Sequence, residues 1–216
     1  VDAFDYLDVG PTLTGSSTAR PKPDDKVNFE DLIIFAISYG PTGYQRPQFA
    51  AAPAGGGHDE LSVDAPAAVG AGETFTVSLR LKGAGDVQGV STQLAWDASV
   101  AKPISVEAGG WLAGQNGVAM SAAPGNVDVA LLGAREQGLA GEGMLAAVTF
   151  RSLAAGAPQI SIARADARDA ANRKVNLAAQ TGQTPPRPSR TEFAPVSPNP
   201  FAGQATRLTC PAKARP

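Results

Sequence analysis

Between residues 61 and about 180, apolar and polar positions alternate with a period of two, interrupted by Gly, Pro and Asp. Such alternation sets one row of side chains against a core and turns the next to water, so it predicts short strands joined by tight turns. In Glu73–Leu81, residues Phe75, Val77, Leu79 and Leu81 share one side, and Thr76, Ser78 and Arg80 the other. Val90, Thr92, Leu94 and Trp96 alternate in the same way with Ser91, Gln93 and Ala95. Further strands are predicted at 104–106, 118–120, 127–131, 145–151 and 159–163. Eight or nine such strands close a two-sheet sandwich, although their order is not readable from the spacing.

One helix is predicted, over Phe29–Tyr39. Asn28 is placed to cap it, Glu30 and Asp31 sit in the first turn where the helix dipole favours negative charge, and Gly40-Pro41 stops it. Leu32, Ile33, Ile34, Phe35, Ile37 and Tyr39 cover most of its circumference, so a helix this short must pack against something. The stretch 46–60, with PQFAAAPAGGGH inside it, has no usable period and reads as a linker with a glycine hinge. Four regions follow: 1–45, the linker 46–60, a sandwich over 61–180, and a Pro-rich extended tail over 181–216 with one strand-like stretch at 205–209.

Composition narrows the function. Glycine (24) and proline (18) suit turns and linkers, and a net charge of −2 with a pI near 5.4 offers no field for nucleic acid or an anionic bilayer. No apolar run approaches the length of a membrane span. A single cysteine, Cys210, excludes an internal disulfide but not export. A chain that starts at Val1 is consistent with a mature product whose signal peptide was removed, or with a trimmed one.

Few residues are arranged for chemistry. The one histidine, His58, sits in the glycine hinge and is expected to be a linker residue, which leaves no triad and no multi-histidine metal site. Cys210 lies in the tail, Gly70-Ala71-Gly72 precedes a strand and reads as a turn, and Asp166 with Asp169 is a carboxylate pair without an evident cleft. Trp96 is expected in the core and Trp111 as a loop anchor. No enzyme is expected.

The clearest candidate is a cation loop. With Asp24 as position 5 of an EF-hand-type loop, the Lys26 carbonyl is position 7, Asn28 position 9 and Asp31 position 12, a spacing of hard oxygen donors that suits Ca²⁺. Positions 1 and 3 would fall on Arg20 and Lys22, which cannot ligate. Asp8, with Asp5 as second choice, is the nearest supply, and Gly10–Arg20 is then an insertion. The competing reading is an acidic turn that caps the helix.

The segment DYLDVGPTLTGSSTARPKPDDKVNFEDLIIFAISYG, residues 5–40, resembles a dockerin-type calcium segment, with its best match from Asp24 to Leu32. Residues 61–179 resemble a cohesin domain through LSVDAPAAVGAGETFTVSLRLKG, GVSTQLAWDASVAKPISVEAG, GEGMLAAVTFRSL and ARADARDAANRKV, in that order. The latter resemblance implies a jelly-roll-like β-sandwich that binds dockerins through one sheet face, with outward Ser91, Gln93 and Ala95 as candidate partner contacts. The tail motif PVSPNPFAGQAT resembles the start of an Ig-like C-terminal secretion module. Together these imply a bacterial, extracellular, non-enzymatic assembly subunit with structural calcium. Its partner is then itself, in a homo-oligomer or filament, or a dockerin- or cohesin-type protein. The alternative is a monomeric surface scaffold or adhesion module that recruits a separate protein or glycan.

Overall fold

The computed structural model describes residues 5–40, 58–133 and 138–184, and two short strands at 198–199 and 203–204. A 3-10 turn at Asp5–Leu7 leads through a loop into α1, Phe29–Ser38. The sandwich follows as β1 (Asp59–Pro66), β2 (Thr74–Ala84), β3 (Gly89–Ala95), β4 (Ala101–Ala108), a short helix α2 (Gly110–Gly114), β5 (Gly117–Met120), β6 (Asn126–Leu131), β7 (Ala140–Ser152), β8 (Ser161–Arg168), β9 (Lys174–Val175) and β10 (Leu177–Thr184). One sheet has the order β10-β1-β2-β7-β4 and the other β5-β6-β3-β8-β9. β1 and β10 run parallel, from Asp59 opposite Leu177 to Pro66 opposite Thr184, and the other described ladders of the sandwich are antiparallel.

The period-two pattern places the core. Leu61, Val63, Val77, Leu79, Leu81, Val148 and Phe150 of the first sheet meet Val90, Leu94, Val127, Val129 and Leu131 of the second, all essentially without solvent contact. Burying side chains of this size is the main favourable contribution to such a fold. Phe75 stacks on Phe150 at 5.6 Å, and Trp96 meets the same ring edge-on at 5.9 Å, so Trp96 packs against the core as expected. Trp111 lies in α2 with its ring over Gly143, where any side chain would overlap it. Gly70-Ala71-Gly72 is a turn, Gly72 with φ +77 and Gly70 N–H donating to Glu73 Oε2 at 2.8 Å.

The expected strands appear with changed limits. The strand expected at 159–163 is Ser161–Arg168, because Gln159 takes a left-handed φ of 50 that cannot continue a ladder. β10 carries the sandwich to Thr184, into what the sequence read as tail. Its run LAAQTGQT has no apolar alternation, and its backbone ladder to β1 holds it in place. The N-terminal segment and the sandwich fall in one compact unit, Val1–Pro185, and Pro186–Pro216 forms the second. In that second unit β11 (Pro198–Asn199) pairs antiparallel with β12 (Gly203–Gln204). The linker interior, the stretch at 205–209 and Cys210 lie outside the described residues.

Candidate recognition face

Strand register builds the outer face of the second sheet in rows. Gly89 stands between Ala130 and Arg168, Ser91 between Asp128 and Asp166, and Gln93 between Asn126 and Arg164. The first row is small around Gly89 and Ala130, and the other two rows are polar. This division decides where α1 sits. Phe29, Ile33, Ile34, Ala36 and Ile37 are buried with Ala130, and Val9, Leu32 and Leu132 pack at the rim. Gly89 makes room for the helix: a Cβ there would stand 2.8 Å from Ile33 Cδ1. Gly133 N–H donates to Ala36 O at 2.8 Å, and Asn172 Nδ2 donates to Gly15 O at 2.8 Å from the β8–β9 turn. On the outer side of α1, Phe35 and Tyr39 are about half exposed, with ring centres 5.7 Å apart.

The loop before α1 is held by carboxylates that accept backbone N–H groups. Asn28 caps the helix, its Oδ1 accepting from Glu30 N–H at 2.8 Å, and Asp31 Oδ2 accepts from Asn28 N–H at 2.8 Å, which completes a capping box. Asp31 Oδ1 accepts two more, from Val9 N–H (2.8 Å) and Gly10 N–H (2.7 Å). Gly10 fits because a Cβ would stand 2.6 Å from the Glu30 carbonyl carbon. Asp8 accepts from Asp24 N–H through Oδ1 (3.2 Å) and from Asp25 N–H through Oδ2 (2.7 Å), and Asp25 has φ +62. Asp24 Oδ1 accepts from Lys26 N–H at 3.2 Å. Residues 11–22 form a hairpin-like insertion closed by Leu13 N–H to Arg20 O (3.0 Å) and Lys22 N–H to Pro11 O (2.8 Å).

This arrangement bears on the calcium expectation. A carboxylate of position 1 that takes the amides of positions 5 and 6, with a left-handed residue at 6, has the outline of a calcium loop. The carboxylate of position 12 accepts three N–H groups, two on Asp31 Oδ1 and one on Oδ2. Among the described residues no three His, Cys, Asp or Glu side chains gather as a metal shell. Asp8, Asp24, Asn28 and Asp31 are tied into the loop by these backbone hydrogen bonds, with Lys26 donating its N–H to Asp24. Asp5 lies in the 3-10 turn that precedes them.

Beyond the N-terminus of α1, the polar rows are left as a cleft of about 240 Å³, lined among others by Asn28, Glu30, Ser91, Gln93, Asn126 and Arg164. Two of the three predicted contact residues, Ser91 and Gln93, therefore line it, and Ala95 is exposed further along β3. Ser91 Oγ donates to Asp128 Oδ1 at 2.6 Å. Burial pushes the Asp128 carboxyl above its ordinary range, and the Ser91 hydroxyl works against that shift. Arg168 forks onto Asp166, with Nη2 to Oδ2 at 2.9 Å. Asp169 closes the next turn on Arg173, so the carboxylate pair noted in the sequence is engaged in structural bonds. Sequence reasoning missed Asp128, Arg164 and Arg168 as members of this face. Register supplies that grouping, and the pairing of β3 with β6 and β8 is not legible in any one strand.

Two packed sheets, one of which carries a helix on its outer face, define a β-sandwich. A family model for the cohesin domain matches residues 60–183, more than half of the chain, and the chain belongs to the cohesin domain family. Cohesin domains are non-catalytic protein–protein interaction modules that bind dockerins. Similar solved structures include the sixth cohesin of Acetivibrio cellulolyticus scaffoldin B in complex with a mutant Cel5 dockerin, at 18% identity over 60% of this chain and 99% of that one, TM-score 0.46. A non-cellulosomal cohesin from the archaeon Archaeoglobus fulgidus is 17% identical over 60% of this chain and 90% of its own, TM-score 0.43. A type II cohesin from Acetivibrio cellulolyticus is 15% identical over 59% and 93%, TM-score 0.43. No curated protein matches the chain. Among the described residues no helix is long and apolar enough to cross a membrane.

Proposed function

We propose that this chain is a non-enzymatic extracellular assembly module whose recognition surface is the outer face of the β5-β6-β3-β8-β9 sheet, built to receive a helical, dockerin-type element. One observation carries the reading: that face already holds a helix, on a seat shaped by Gly89 and Ala130. The polar rows of Ser91, Gln93, Asn126 and Arg164 beside the seat supply hydrogen-bonding groups at its rim, the division of apolar centre and polar edge found in specific interfaces. Secretion, and the joining of subunits through cohesin-like and dockerin-like surfaces into an oligomer or head-to-tail filament, are finer parts of this proposal. They rest on the sequence resemblances. Calcium belongs to the same proposal through the dockerin-type spacing of Asp24, Lys26, Asn28 and Asp31.

The second reading, a monomeric surface scaffold that recruits a separate protein or glycan, draws on the seating of α1 within its own chain. Static light scattering over a concentration series, in calcium and then in EGTA, separates the two. Mass that rises with concentration above the 21.9 kDa of one chain is the expected result. A constant single-chain mass in both buffers leaves only the monomeric reading, and assembly that dissolves on chelation adds the metal to the joint.

A further inference from the structure

We propose that the seat of α1 is exchangeable between copies, so that the loop–helix segment 5–40 of one chain docks on the Gly89–Ala130 row of a second. This names the partner for the face assigned above and rests on that assignment.

The segment has no core apart from the sheet. Its buried apolar residues close on Ala130 and Leu132, and a ten-residue helix is marginal in water without such packing. The segment is therefore stable only when seated, and each copy carries both the helix and an identical seat. Contacts made in cis and in trans are the same, from Ile33 over Gly89 to the bond between Gly133 N–H and Ala36 O. What differs is the covalent connection. Residues 41–57 join Gly40 to His58 and limit their separation to about 60 Å when fully extended. A connection of that length does not oblige the helix to return to its own sandwich. It sets an effective concentration, in the millimolar range for short linkers, against which a second chain competes. Docking in cis then prevails in dilute solution, and exchange grows as chains are concentrated. A reciprocal pair fills both seats and leaves neither helix unpacked, whereas one-way exchange passes an empty seat along and propagates.

Disulfide capture tests this in the full chain, with Cys210→Ser as background. Ala130 is a mild site, since its Cβ lies 3.4 Å from the position a Gly89 Cβ would take, itself beside Ile33 Cδ1. Chains carrying Ile33→Cys and Ala130→Cys together report docking in cis. Chains carrying one change each, mixed and then oxidised, report docking in trans. A second pair, Ile33→Cys with Gly89→Cys, repeats both arms from the neighbouring site. The expected result is closure within the double variant, together with a mixed disulfide of twice the chain mass whose yield rises with concentration. Closure in cis with no cross-linked pair at any concentration would overturn the exchange and leave the recognition face intact. Failure of both pairs in cis would remove the seat itself, and with it the reading of the face.

Discussion

Asp31 satisfies two codes at once. In Asn28-x-x-Asp31 the sequence meets the spacing of positions 9 and 12 of a calcium loop, and equally the spacing of a capping box, because both require an oxygen at the N-cap and a carboxylate three residues on. No sequence pattern separates the two uses. The hydrogen bonds display the capping use, with the N–H groups of Asn28, Val9 and Gly10 aimed at that carboxylate. Asp31→Ala should cost about 3 kcal/mol, a lost cap together with buried amides left without acceptors. The check is hydrogen exchange: amides of 32–37 are expected to lose protection while those of β2 and β7 keep it. Full retention in the helix would show that Asp31 holds nothing.

Asp59 is the second residue where burial decides behaviour. Desolvation, reinforced by the hydrogen bond and charge of Asp86 and opposed by the Ala84 N–H, raises its carboxyl from 3.8 to about 6. The folded state thus binds this proton more tightly than the unfolded chain. The stabilisation is full below 3.8 and is lost as pH rises through 6. Asp59→Asn keeps an acceptor for the Ala84 N–H and offers N–H groups to the neighbouring Asp86 carboxylate. Thermal midpoints at pH 4.5 and 7.5 should show the variant gaining on the parent at the higher pH. A difference independent of pH would refute the shift.

At the scale of elements, legibility followed the kind of force that holds each piece. α1 was readable from its cap and apolar residues, and β2, β3 and β6 from alternation, because side-chain burial fixes them. β10 was not, because Ala178, Ala179, Gln180 and Thr181 have no period and a backbone ladder to β1 places them. The face was half legible. Ser91, Gln93 and Ala95 were identified as outward, whereas Asp128 joins them only through pairing across to β6. Where α1 would rest was not written in its own sequence, since the vacancy that receives Ile33 is the missing side chain of Gly89. Ala130→Arg therefore tests the element contact directly. A guanidinium in that row has no carboxylate partner inside the helix contact and costs several kcal/mol to bury. Exchange protection of 33–38 should collapse while β3 and β6 remain protected. A helix that stays protected would place its support elsewhere.

For the whole molecule, the parallel pairing of β1 with β10 matters beyond closing a sheet. β1 is the first strand after the linker and β10 the last before the chain continues past Thr184. Tension applied through residue 58 on one side and residue 185 on the other pulls these two strands lengthwise in opposite directions. Every bond of the ladder from Asp59–Leu177 to Pro66–Thr184 then carries load together, instead of yielding one after another as in a hairpin peeled from its end. A subunit tethered at both ends in a flowing medium would resist rupture along the line on which it is drawn.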